Sequence, residues 1–206
     1  MKAILILLVI SIITFIHPAI KTNNNIDSVM IGTQIWATKN LDASKFRNGD
    51  PILEAESADK WNEADNKKKP AWCYYRGDTS NGRKYGKLYN WYAVHDSRGL
   101  APQGWHIPTD NEWTILADFL GGVNVAGKTM KSASYWDGDN SSNFSALPAG
   151  FSWGGTFSEL GSRTGFWSAT EKSTGNAWLW TLLSGHSSFL RGSCAESYGY
   201  SVRCVK

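Results

Sequence analysis

Cysteine is scarce in this chain: Cys73, Cys194 and Cys204 are the only three among 206 residues. That is too few for a small disulfide scaffold, and no closely spaced Cys or Cys/His pair is present, which excludes a zinc-site pattern. Histidine is equally thin, with His17 in the N-terminal apolar segment and His95, His106 and His186 far apart. Charge of one sign is also lacking. The 21 Lys and Arg against 18 Asp and Glu leave a net charge of +3, and the one basic run, Lys67-Lys68-Lys69 beside Pro70, reads as a solvated loop. A nucleic-acid-binding stripe is therefore excluded. There is no internal repeat and no low-complexity tract, and 42% hydrophobic with 19% charged residues excludes both a disordered chain and a membrane bundle.

What is abundant is aromatic: 11 Trp, 8 Tyr and 8 Phe stand beside 20 Gly. That mixture suits a loop-rich fold whose irregular segments are pinned by large rings. At the N-terminus, Met1-Lys2 precedes an apolar run from Ala3 to Ile16 broken only by Ser11 and Thr14, so residues 1–20 read as a signal peptide or an N-terminal anchor. Residues 21–28, with Asn23-Asn24-Asn25, form a polar spacer, and 29–206 form one domain, long enough to bury a core without metal or several disulfides. No Cys precedes Cys73, which excludes an acylated-cysteine anchor. Export would let two of the three cysteines pair, and spacing alone does not choose them.

Val29 to Trp36 reads as an opening strand with Gly32 placed for a bulge. Residues 42–70 read as a long polar loop with a helical turn around Ala55 to Ala64, and Leu88, Trp91 and Tyr92 share one face of a short helix through Gly86 to Val94. Thr109-Asp110-Asn111-Glu112 is a capping box, followed by Trp113, Leu116, Ala117 and Leu120 at helical spacing and closed by Gly121-Gly122. Strands are expected at Ser145–Leu147, Gly165–Ala169, Ala177–Leu183, Ser187–Arg191 and Gly199–Val205. The order gives an α+β fold of two helices with short antiparallel strands and long loops. Trp178 and Trp180 alternate with Leu179 and Thr181, a pattern for a sheet covered on both sides.

Six strings carry a resemblance: Ile31-Gly32-Thr33-Gln34-Ile35-Trp36, Tyr85-Gly86-Lys87-Leu88-Tyr89-Asn90-Trp91, Gly104-Trp105-His106-Ile107-Pro108-Thr109, Ala146-Leu147-Pro148-Ala149-Gly150, Phe166-Trp167-Ser168-Ala169-Thr170-Glu171 and Ser201-Val202-Arg203-Cys204-Val205. In this order they resemble the Fibrobacter succinogenes major paralogous domain family from about Val29 onward. The resemblance implies a secreted or surface-associated bacterial domain with a C-type-lectin-like fold, also similar to that of formylglycine-generating enzymes, and it implies no known reaction. Cys73, in Trp72-Cys73-Tyr74-Tyr75, and Cys204 lie in family-like strings while Cys194 does not, so the resemblance implies a Cys73–Cys204 disulfide. In the chain-entropy picture such a long closed loop contributes about 4–5 kcal/mol.

Among the aromatics, Trp91, Tyr92, Trp105 and Trp113 are explained by core packing, whereas Trp136, Trp153, Tyr198 and Tyr200 lie among Gly, Ser and Asn and are the candidates for sugar contact. Two oxygen-rich stretches supply a candidate calcium set, Asp78 with Asn81 and Asp137 with Asp139, each of which reads equally well as a turn. The sugar-binding signature strings of calcium-dependent C-type lectins are absent. Gly122 to Thr129 fits the phosphate-binding loop as a string, and Gly150-Phe151-Ser152-Trp153-Gly154 fits the nucleophile elbow with Glu171 and His186 behind it. Neither has the strand-then-helix setting that its chemistry needs. The copper-holding cysteine pair of formylglycine-generating enzymes has only Cys194 and Cys204 to draw on, in unlike surroundings.

The sequence therefore points to an exported non-catalytic binding or surface module for glycans or another envelope component. Its place is secreted, periplasmic or cell-surface, without nucleic acid, and with membrane contact only through an uncleaved N-terminal segment. The rivals are an enzyme related to formylglycine-generating oxidases and a structural envelope protein. The full-length chain expressed in a bacterial host is expected to deliver residues 27–206 outside the cytoplasm, and Asp at both Leu7 and Leu8 is expected to abolish this; cytoplasmic retention of the unaltered protein contradicts the reading.

Overall fold

The computed structural model describes residues 26–206, so the signal or anchor segment 1–20 and most of the spacer lie outside the described residues. The chain opens with a hairpin, β1 (Ser28–Ile31) against β2 (Gln34–Ala37), in place of one bulged strand. Gly32 has φ +61°, a turn conformation that glycine adopts without a Cβ penalty, so the chain reverses there. In the polar stretch that follows, Ser57 accepts from the Lys60 amide and starts α1 (Ala58–Asn66), which buries Trp61 and Ala64. Two i,i+4 pairs, Glu56–Lys60 and Glu63–Lys67, lie on its solvent side.

A small sheet has the order β3 (Leu53–Glu54), β4 (Ala71–Cys73), β5 (Leu88–Tyr89), with β3 and β4 parallel. The helix expected from Gly86 is cut short for this reason: Leu88 and Tyr89 pair with Cys73 and Trp72. Asn90 then begins α3 (Trp91–Val94) by accepting from the Ala93 amide, and the same oxygen accepts from the Ala71 amide. Between β4 and β5 lies α2 (Thr79–Tyr85), capped by Asp78. The capping box forms as expected and opens α4 (Asp110–Phe119), and α5 (Ala126–Met130) follows. Five α-helices thus occur among the described residues, against the two expected.

The larger sheet has the order β10 (Phe189–Ala195), β9 (Asn176–Leu183), β8 (Arg163–Ser173), β6 (Ala149–Trp153), β7 (Thr156–Leu160). All its pairs are antiparallel except β6 with β8, which meet in parallel at Gly150 and Thr164. The expected strands at Ser145–Leu147 and Gly199–Val205 reduce to isolated bridges. The class is α+β, with parallel pairs and one strand of 11 residues among the short antiparallel ones.

This sheet is a wall between two cores, as the alternation in β9 implied. Trp167 and Leu179 face one cluster with Trp91, Trp105, Tyr200 and Val202. Phe166, Trp180 and Leu182 face the other, where α4 delivers Trp113 and Leu116 onto Trp36, Phe144 and Phe189. Trp113 is fully buried, lies 4.6 Å from Trp36 and 5.5 Å from both Phe166 and Phe189, and donates its indole N–H to the Trp167 carbonyl. Trp113→Ala is expected to cost about 3–5 kcal/mol in denaturant unfolding by opening a cavity among rings that cannot collapse together; a loss below about 1 kcal/mol contradicts this packing.

Candidate functional site

The β6–β7 turn is built by Gly154 and Gly155, with φ +50° and +78°, between the paired Trp153 and Thr156. Two successive positive φ values are what a two-residue hairpin turn of type I′ requires. Strand alternation then sends Phe151 and Trp153 to one face of β6 and Ser152 to the other. Alongside runs the segment carrying Tyr198 and Tyr200, joined to β6 by two backbone hydrogen bonds between Ser152 and Gly199 of 2.9 and 2.7 Å. Gly199 has no side chain to spare room for, since a Cβ there would lie 3.0 Å from Trp61 and 3.2 Å from Ser152.

The outcome is a row of rings. Phe151 is near-parallel to Tyr198 (9°, centroids 6.4 Å apart) and Tyr200 (22°, 5.4 Å), and Trp153 lies 6.3 Å from Phe151 and 6.5 Å from Tyr198. Exposure grades along it: Tyr200 is 2% exposed, Tyr198 is half-buried and Trp153 is 46% exposed. Tyr200 is foundation, and Trp153 with Tyr198 is surface. The Arg163 guanidinium lies 5.1 Å from the Phe151 ring, is 3.6 Å from Glu159, and leaves its Nε without a partner. That Nε is itself buried and offers no donor to solvent. Burial pushes the Tyr200 phenol far above the usual tyrosine range, and its Oη sits 3.8 Å from Cys194 Sγ.

Of the four sequence candidates, Trp153, Tyr198 and Tyr200 come together and Trp136 does not. Trp136 donates to Ser184 Oγ (2.5 Å) and lies 5.4 Å from Lys131 Nζ, away from the row. Phe151 is the member that sequence reading missed, and the signal for it was its i−2 position to Trp153 on one strand. The calcium candidates are used locally: Asp78 caps α2, Asn81 donates to the Tyr75 carbonyl, Asp139 accepts from the Ser141 amide, and Asp137 pairs with Lys131 and the Gly185 amide. No group of three or more His, Cys, Asp or Glu side chains placed for a metal occurs among the described residues.

The two enzyme-like strings resolve into structure. Ser152 lies fully buried inside β6, its Oγ unpartnered at the wall of a cavity of about 300 Å³ shared with Trp61, Cys73 and Arg76. It is not raised on a strand-to-helix elbow. Gly127 of the phosphate-loop string packs against Ser188, whose carbonyl oxygen would lie 2.3 Å from an added Cβ, and a capped helix precedes the string.

The expected Cys73–Cys204 bridge is not formed; all three cysteines are free. The reason is strand phase. On β4, Trp72 faces the large core with Trp91 and Tyr200, while Cys73 faces a third, smaller core with Trp61, Tyr75 and Leu88. Cys204 belongs to the large core. Burial pushes the thiols of Cys73 and Cys204 up to about 12 and raises that of Cys194, so all three are neutral thiols at pH 7 and weak nucleophiles.

Fold and site together define an α+β domain that presents a graded aromatic face on a rigid hairpin. The sequence matches the Fibrobacter succinogenes major domain over residues 29–206, and the chain belongs to that family. No curated protein matches it. Brief alkylation of the native protein at pH 8 is expected to modify half-buried Cys194 ahead of Cys73 and Cys204, which react on unfolding; equal labelling of all three, or a peptide map joining Cys73 to Cys204, contradicts the placement.

Proposed function

We propose that this chain is an exported, non-catalytic binding module of C-type-lectin-like fold that recognises glycans of the bacterial envelope through Trp153 and Tyr198. The observation that carries the reading is the half-exposed Trp153 at the open end of a row whose inner rings, Phe151 and Tyr200, are buried. A pyranose offers C–H faces that bury well on a flat, partly exposed ring such as that of Trp153. The ring's backing matters because little conformational freedom is then lost on binding. Export rests on the charged start and apolar run of the N-terminus, whose uncleaved form would be the module's membrane contact.

A glycan array with the purified protein tests this directly. With the highest-ranking glycan, Trp153→Ala is expected to weaken binding by at least about 30-fold, the scale of a central aromatic anchor, and Tyr198→Ala by less. Stability is expected to change by less than about 1 kcal/mol in Trp153→Ala, since the ring is half in solvent. An array without hits, or binding indifferent to Trp153 and Tyr198, overturns the proposal.

A further inference from the structure

Arg203 is 1% exposed and has no carboxylate against it. Its Nε and Nη2 donate to Asn40 Oδ1 at 3.1 and 2.8 Å, and its Nη1 donates to the carbonyls of Ala37 (2.9 Å) and Phe144 (2.7 Å). The Phe144 ring lies 4.4 Å from the guanidinium carbon. Hydrogen bonding is answered by these neutral acceptors; charge is not. Burial pushes the guanidinium pKa down to about 9, the direction expected of a cation lacking a counter-charge.

Arg203 lines a pocket of about 280 Å³ whose other charged walls are Lys39, Arg83, Lys84 and Asp42. That is four cations to one carboxylate, and the carboxylate is already committed. Asp42 is ion-paired to the buried Lys87, which is held between the rings of Trp72 and Tyr74 at 4.2 and 4.7 Å. Lys39 reaches outward to exposed Asp27 at 2.8 Å. Arg83 and Lys84 enter no ion pair among the described residues, and the Lys84 ammonium lies over Tyr85 and Tyr135 at 4.9 and 5.1 Å. Cations in the last turn of α2 answer the negative end of that helix, which accounts for their presence there but not for a shared pocket with a buried, uncompensated guanidinium.

We propose that this pocket is an anion site for a phosphate group, with Arg83 and Lys84 as the accessible charges and Arg203 as the buried charge of its floor. A phosphate dianion supplies the negative charge that the walls lack. Cations gathered in a concave pocket attract such a group more strongly than single surface lysines do. The volume exceeds that of one phosphate, so the group fits either as the free ion or as an ester on a sugar. Its walls share no residue with the aromatic row, so this site stands or falls apart from glycan binding by Trp153.

The test is thermal unfolding of the purified full-length protein in inorganic phosphate against sodium chloride of equal ionic strength. At ten times Kd, phosphate is expected to raise Tm by about 3–6 °C while chloride does not. The double variant Arg83→Gln, Lys84→Gln is expected to lose at least about ten-fold in affinity, with Tm in chloride unchanged within about 1 °C, whereas Trp153→Ala keeps the full rise. These rim positions are chosen because Arg203 variants are expected to fail to fold. Glucose 6-phosphate binding tighter than phosphate assigns the group to a sugar ester, and the reverse order assigns it to the free ion; glucose alone is the neutral control. Absence of a phosphate-specific rise, or an equal rise in the double variant, overturns the site.

Discussion

The structure depends on one extended segment, Gly199–Lys206, which is hydrogen-bonded along both of its edges while belonging to no sheet. Tyr200 exchanges backbone hydrogen bonds with Tyr89 of β5, Ser201 links Gly165 and Trp167 of β8, and Val202 accepts from Leu41. Cys204 accepts from Ala37, Lys206 exchanges with Ile35 of β2, and Val205 exchanges with His106. A buried backbone must place every N–H and C=O somewhere, and here each placement ties a different element to the same strip. Side chains follow the strip's alternation: Val202 and Cys204 enter one core and Val205 the other. Arg203 fastens it to Ala37, Asn40 and Phe144. The small sheet, the large sheet and the opening hairpin are joined through this segment at large sequence separations, contacts of the kind that slow folding.

The abundance of tryptophan is explained by the same need. Each buried indole fills space and brings a donor that must be answered, and the acceptors are mostly backbone carbonyls of loops and of strands distant in sequence. Trp61 donates to Ser197, Trp72 to Ile52, Trp91 to Ser168 and Trp167 to Tyr89. A ring in the core is thereby also a tether between elements, and at Ile52 and Ser197 it holds a loop that has few regular hydrogen bonds of its own. Trp153 departs from that pattern in being half exposed.

What was legible in the sequence was local. The capping box of α4 could be read because Thr109 and Glu112 interact with each other and with adjacent amides, within one turn. The two-core wall could be read from alternation in β9. The hairpin turns at Gly32 and at Gly154-Gly155 are equally local, but a single glycine fits a bulge as well as a turn, and Gly154 also closes an elbow-like string. The cysteine pairing was not legible at all, because resemblance of strings carries no strand phase, and one residue of phase sends Trp72 and Cys73 into different cores. By composition Trp136 belongs with the other loop aromatics, while its place is set by Ser184 and Lys131, which only the fold brings near.

The aromatic row and the basic pocket share a dependence that governs how they can be probed. The aromatic row takes Tyr200 from the start of the bonded segment and Tyr198 from just before it, and the basic pocket takes Arg203 from its middle. A change at Tyr200 or Arg203 therefore loosens the joint between sheets before it alters any surface, and lost binding in such a variant is a folding effect. The residues that report on recognition are those the scaffold needs least, Trp153 on one surface and Arg83 and Lys84 on the other. Trp153, Arg83 and Lys84 are exposed, while Tyr198 also packs against the large core, so a binding change at the first three with stability intact has one physical meaning, the loss of a contact to something outside the chain.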